Sequence, residues 1–207
     1  MIAKKVLLLA VLALALPMAA FASSQVDFTN HGGTLSGTNA GLSLTGSALI
    51  AVNGLNGGGL ITGSNLGSMS FSTGALATGS LQAGGTFAAG GSFSVMGNGS
   101  NGVPNGVLFS GTFSQPAVWA LSTIGTGTNA THNYTLTGVL SGTMASGFST
   151  NGVTIQLTMN TGKNFFNGSA PLSGGDTNIV VPEPGTLTLL GSGLIGLAGT
   201  LRRKFKK

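Results

Sequence analysis

Apolar and polar residues alternate with a period of two along the middle of this chain. From residue 153 to residue 160 every odd-numbered position is apolar and every even-numbered position is polar. The same alternation runs through residues 68–72, and through residues 107–113 with one irregularity. A period of two places successive side chains on opposite faces of a strand, so the pattern predicts strands with one buried face.

Glycine-rich turns separate these segments from further short apolar runs. Seven Asn-Gly pairs occur, and both residue types tolerate the positive φ angles that tight hairpin turns require. No stretch before residue 186 has the period of an amphipathic helix. We therefore expect an antiparallel all-β domain of eight or more strands. Its architecture should be a β-sandwich or a barrel that resembles a jelly roll. A β-solenoid is the alternative, because Leu-Ser-Gly-Thr motifs recur, but their spacing is irregular.

The N-terminus has the pattern of a secretory signal peptide. Two lysines precede an apolar run at residues 6–16, and a small-x-small site follows at residues 20–22. We expect a signal peptide over residues 1–22, with cleavage between Ala22 and Ser23. A retained membrane anchor is the alternative, but the apolar run is short for a membrane span.

The C-terminus combines a proline-rich motif, an uncharged run and a cluster of cations. The uncharged run covers residues 186–201, which as a helix would reach about 24 Å, against a hydrocarbon core of roughly 30 Å. We expect a short transmembrane helix whose basic end stays in the cytoplasm. The flanking residues are Val181, Pro182, Glu183 and Pro184 on one side, and Arg202, Arg203 and Lys204 on the other.

These three features, in this order, resemble the PEP-CTERM sorting signal of Gram-negative bacteria, and the resemblance covers residues 181–207. It implies that exosortase, a membrane-embedded protease or transpeptidase, recognises Pro182, Glu183 and Pro184 and processes the chain at or near them. It also implies a precursor tethered to the inner membrane and a product at the cell surface or outside the cell. Residues 23–180 would then be the extracytoplasmic domain.

Charge is concentrated at the two termini. The net charge is +5, yet residues 23–181 contain only Asp27, Lys163 and Asp176 as charged residues. We therefore expect no nucleic-acid partner. The chain has no cysteine, which excludes disulfides and thiolate metal sites. Strand edges without lysine are poorly protected against pairing with other edges, so self-association is a candidate property.

Few side chains in the middle of the chain could perform catalysis. Asp27 and Asp176 could form a carboxylate pair for glycoside cleavage, but their places at the two ends of the domain favour aspartates in turns. His31 and His132 lie among turn-forming residues and are interpreted as loop histidines. We expect no enzyme activity, no cofactor and no metal site.

The single tryptophan and the single tyrosine are candidates for glycan contact. Trp119 and Tyr134 could stack on sugar rings, although the apolar run around Trp119 favours a place in the core. The sequence predicts an exported structural protein of the cell surface or of a biofilm-type extracellular matrix. The alternative is a carbohydrate-binding or adhesive module, with exopolysaccharide as a partner.

Overall fold

The computed structural model describes residues 24–181, which form thirteen β-strands and two single-turn 3-10 helices. This confirms the predicted all-β class. No helix in this part of the chain has the length and hydropathy needed to cross a bilayer. The predicted signal peptide and its cleavage site at Ala22 and Ser23, the predicted helix 186–201 and the basic cluster lie outside the described residues.

The thirteen strands follow one another with short connections. Their bounds are β1 (Ser24–His31), β2 (Thr34–Thr38), β3 (Gly41–Asn53), β4 (Ile61–Ser72), β5 (Leu76–Ser80), β6 (Gly84–Phe87), β7 (Gly90–Asn98), β8 (Asn105–Phe113), β9 (Ala117–Ile124), β10 (Thr131–Met144), β11 (Ser149–Gly162), β12 (Ser169–Pro171) and β13 (Gly174–Val181). The 3-10 turns are Leu55–Gly57 and Gly127–Asn129.

Eight of these strands close into an antiparallel barrel. Their order around the barrel is β11, β13, β1, β3, β4, β7, β8 and β10, and β10 pairs back with β11. The first and the last strand of the domain, β1 and β13, are therefore neighbours in the wall. Of the predicted architectures, the barrel is the one that forms, since the wall returns to its starting strand.

Strand β10 is a branch point, because its two halves pair with different strands on the same side. Residues 140–144 pair with β8 and complete the barrel, whereas residues 131–137 pair with β9. Beyond β9 the sheet continues through β6 to β5. A second extension runs from β3 through β2 to β12. Among the described strands, β5 and β12 are the edge strands, because each pairs with another strand on one side only.

Two glycines face each other where β10 joins β8. Gly111 and Gly142 are cross-strand partners. A Cβ atom on Gly142 would collide with the carbonyl oxygen of Ser110, and would lie 2.6 Å from Cζ of Phe109 and 2.7 Å from Cα of Gly111. Real Cβ contacts are longer than this, so the two strands approach closely only because neither residue has a side chain.

The alternating pattern predicted for residues 153–160 is present in β11. Val153, Ile155, Leu157 and Met159 are buried, and the polar residues between them are exposed. Phenylalanines on β4, β7 and β8 are also buried in the core. Phe71 lies 5.9 Å from Phe113 and 6.4 Å from Phe93, measured between ring centroids.

Candidate functional site

The last strand holds the chain in the barrel wall up to the predicted sorting segment. Thr177 and Ile179 in β13 are fully buried, and Oγ1 of Thr150 donates a hydrogen bond of 3.2 Å to the carbonyl oxygen of Val180. Val181 is the final residue of β13. The other predicted motif residues, Pro182, Glu183 and Pro184, and the basic residues Arg202, Arg203 and Lys204 lie outside the described residues.

Trp119 and Tyr134, the candidate glycan-contacting residues, are buried. Trp119 on β9 is 2% exposed and Tyr134 on β10 is 0% exposed, and their rings stack at 4.9 Å. The ring of Phe166 meets the Trp119 ring edge-to-face at 5.5 Å. Nε1 of Trp119 donates to the carbonyl of Leu81 at 2.9 Å, and the Tyr134 hydroxyl donates to that of Gln82 at 2.6 Å. Neither ring has a face open to a sugar. The candidate role of these two residues in glycan contact is therefore wrong, and they are core residues.

This buried cluster positions the loop between β11 and β12, residues 163–168. The backbone N–H of Phe166 donates to the hydroxyl oxygen of Tyr134 at 3.1 Å, and Oγ1 of Thr161 donates to the carbonyl of Asn164 at 2.6 Å. Two adjacent phenylalanines in this loop have opposite environments: Phe166 is 1% exposed and Phe165 is 51% exposed. The inner ring anchors the loop, and the outer ring is presented to solvent.

The exposed ring rests on a histidine. The rings of Phe165 and His132 stack with centroids 4.0 Å apart and planes 22° apart. His132 is buried within β10, and its Nδ1 lies 3.0 Å from Oγ1 of Thr123. The prediction of a loop histidine is thus wrong for His132. His31 is the last residue of β1 and is exposed, with Nδ1 donating to the carbonyl of Ser173 at 2.8 Å.

Polar side chains surround Phe165 and form a shallow cavity of about 240 Å³, which we call the asparagine pocket. Its lining residues are Asn160, Thr161, Asn164, Phe165, Phe166, Asn167, Ser169, Ala170 and Pro171. Sequence reasoning missed this site, although the segment Asn-Phe-Phe-Asn-Gly at residues 164–168 was visible as its signal. No group of three metal-ligating side chains occurs within the described part of the chain.

The two aspartates that were assigned to turns lie on two neighbouring strands. Asp27 belongs to β1 and Asp176 to β13, which are neighbours in the barrel wall, and Oγ1 of Thr29 donates to Asp176 at 3.2 Å. Burial raises the pKa of Asp27 from 3.8 to about 6, and the nearby negative charge of Asp176 adds to this effect. The turn interpretation is therefore wrong, because both residues belong to strands. Closure of the barrel places these two strands, from opposite ends of the domain, side by side.

The raised pKa of Asp27 predicts a domain that loses stability as pH increases. Between about pH 4 and pH 6 the folded protein retains a proton that the unfolded chain has released, so the free energy of unfolding falls across this window. Replacing Asp27 by Asn removes this penalty. Because the site is partly exposed and screened, we expect a gain of about 1 kcal/mol at pH 7.

Urea unfolding of the wild type and of Asp27→Asn at pH 4 and pH 7 measures this effect. Comparing the two proteins at each pH cancels the contribution of the histidines. Asp176→Asn is the matched variant, and it should also raise stability at pH 7 because it removes the neighbouring negative charge. An Asp27→Asn protein less stable than the wild type at pH 7 would contradict the assignment.

Comparison with known proteins locates one family motif in this chain. The model of the PEP-CTERM protein-sorting motif matches residues 180–204. No curated protein and no solved structure gives a significant match. Fold and sequence together thus define a barrel protein whose last strand leads directly into a C-terminal sorting segment.

That segment is a PEP-CTERM sorting motif, as the resemblance at residues 181–207 indicated. The motif implies an exported protein that is targeted to exosortase and reaches the cell surface through a membrane-anchored precursor.

Proposed function

We propose that this protein is a non-enzymatic structural component of the cell surface or of a biofilm-type extracellular matrix. The observation that carries the proposal is the overlap of the sorting motif, residues 180–204, with the end of β13 at Val181. The segment that exosortase recognises therefore follows the barrel wall without a linker sequence. Pro182 and Pro184 fix φ and cannot donate backbone hydrogen bonds, which favours an extended segment that a protease can bind.

The composition of the barrel suits a structural role. Its charged residues are Asp27, Lys163 and Asp176, and its outward positions are mostly serine, threonine and asparagine. Copies with so little charge repel one another weakly, so they can approach closely at high surface density.

One strand edge supports self-association. Among the described strands, β5 pairs with β6 alone, and its sequence Leu-Ala-Thr-Gly-Ser carries no charge. The other edge strand, β12, contains Pro171, which lacks a backbone N–H and is a common means of protecting an edge. Pairing between β5 edges of two copies is the contact that we expect in an assembly.

Mass spectrometry of the mature C-terminus tests the sorting step. We expect the wild-type protein at the cell surface to end at or near Pro182–Pro184, and Glu183→Ala to accumulate as the longer precursor, because its recognition charge is gone. Thr188→Ala, a change in the same tail outside the motif, is the matched control and should be processed normally. An intact Lys207 on the wild-type surface protein would contradict processing.

The same recovered protein tests the structural role by sedimentation velocity. We expect assemblies larger than a monomer whose fraction grows with concentration. A protein that stays monomeric at high concentration near pH 5, where its net charge is small, would contradict the matrix role and leave the sorting result standing.

The second candidate function is a carbohydrate-binding or adhesive module. Trp119 and Tyr134 do not support it, because both rings are buried. Phe165 does support it, since its ring is half exposed beside a pocket lined with amide groups. Here exopolysaccharide would be a ligand of the surface protein.

A further inference from the structure

Phe165 has surroundings that suit a ligand. A single exposed apolar residue is common on protein surfaces, so the neighbouring groups decide what the ring can do. Phe165 stacks on His132 at 4.0 Å, with half of its surface still exposed. A ring supported in this way offers a flat apolar platform.

The platform is held in place before any ligand arrives. The loop is fixed by the hydrogen bond from the Phe166 N–H to Tyr134 and by the bond from Thr161 to the Asn164 carbonyl. Nδ1 of His132 lies 3.0 Å from Oγ1 of Thr123, which sets the orientation of the imidazole beneath Phe165. Preorganised side chains lose little conformational entropy on binding, so modest contacts suffice for affinity.

The rim of the asparagine pocket offers hydrogen-bonding groups of both kinds. Asn160, Asn164 and Asn167 contribute amides, each with a donor and an acceptor, and Thr161 and Ser169 contribute hydroxyls. The N–H of Gly162 donates to Oδ1 of Asn160 at 2.7 Å, which orients that amide. Amides paired with a flat ring match a sugar, whose adjacent hydroxyls bind amides and whose C–H face packs on aromatic carbon.

Charge and size narrow the class of ligand. The lining of the pocket contains no carboxylate, so it has no acid or base pair for glycoside cleavage. Its volume of about 240 Å³ is below the roughly 300–1,000 Å³ of small-molecule pockets. Such a shallow site suits one unit of a long chain that continues across the surface.

We propose that Phe165 and the asparagine pocket bind a neutral polysaccharide, one sugar unit of which stacks on the Phe165 ring. The proposal deepens the carbohydrate-binding candidate and rests on the exported location of the protein. Trp119 and Tyr134 then act through the loop as positioning residues. The ligand is bound and not cleaved.

Affinity electrophoresis with dextran, laminarin and xylan as probes tests the proposal on the mature protein recovered from cells. The wild type should be retarded by at least one probe, and Phe165→Ala should weaken this binding about tenfold or more. Phe165→Tyr keeps the ring and should retain binding. Leu60→Ala, which truncates a residue 66% exposed and outside the pocket, is the matched control and should behave as the wild type.

Three results would overturn the proposal. The first is equal binding by Phe165→Ala and the wild type. The second is no retardation of the wild type by any of the three neutral polysaccharides. The third is retardation by anionic alginate alone, run as a parallel charged probe, that is lost in Lys163→Gln. Equal thermal midpoints of Phe165→Ala and the wild type show that the variant is folded. The mass of the mature C-terminus is independent of these results, so a failure here is distinguishable from a failure of sorting.

Discussion

Replacing Trp119 by alanine is expected to lower the free energy of unfolding by about 3–5 kcal/mol. The indole is 2% exposed, stacks on Tyr134 at 4.9 Å and meets Phe166 at 5.5 Å, so its removal leaves a large cavity. The carbonyl of Leu81 also loses the Nε1 donor at 2.9 Å. Guanidinium denaturation followed by circular dichroism measures the change, because the variant has no tryptophan fluorescence.

Val118→Ala is the control for this experiment. Val118 precedes Trp119 on β9 but is 46% exposed, so its truncation should change stability by no more than about 0.5 kcal/mol. If Trp119→Ala cost as little as this control, the aromatic cluster would not be the packed core that the structure describes.

Replacing Gly142 by valine is expected to destabilise the barrel by about 3 kcal/mol or more. A side chain here meets the Ser110 carbonyl and Phe109 at the place where β10 joins β8. Neither strand can move away without breaking its other pairings, because β10 also pairs with β11 and β8 with β7. Thermal unfolding measures the loss as a lower midpoint.

Gly59→Val is the matched control, since a Cβ atom on Gly59 has no atom within 4 Å and its φ is not in the left-handed region. We expect it to unfold within a few degrees of the wild type. A Gly142→Val protein with an unchanged midpoint would show that β8 and β10 do not approach as closely as described.

The strands could be predicted from the sequence because their signal is local. In β11 the alternation of residues 153–160 reports directly which side chains face the core. The closed barrel could not be chosen over the sandwich, since closure depends on β10 pairing with β8, β9 and β11 at once. Those pairings join distant segments, and no local pattern records them.

The Asn-Gly pairs predicted positive φ angles reliably, but they predicted hairpin turns less reliably. Gly102 has a φ of 87° in the turn before β8, as predicted. Gly106 has a φ of 106°, yet it lies within β8, near an irregularity in the pairing with β7. Positive φ serves turns and bulges alike, so the dipeptide alone does not distinguish them.

The candidate site was missed because its parts break the patterns used to find it. Phe165 and Phe166 are both apolar, so the sequence shows no apolar–polar alternation at this point, although one ring is exposed and the other is buried. Asp27 and Asp176 come together only through the pairing of β1 with β13. Trp119 was correctly favoured as a core residue because the surrounding strand is apolar.

The pairing of β13 with β1 has a consequence for biogenesis. Until the last strand has been synthesised and translocated, β1 and β11 each lack the neighbour that completes the wall. A nascent chain interrupted before residue 174 would therefore expose the edges of β1 and β11 and be prone to aggregation. Completion of the barrel and targeting to exosortase thus depend on one continuous stretch of the chain, residues 174–204.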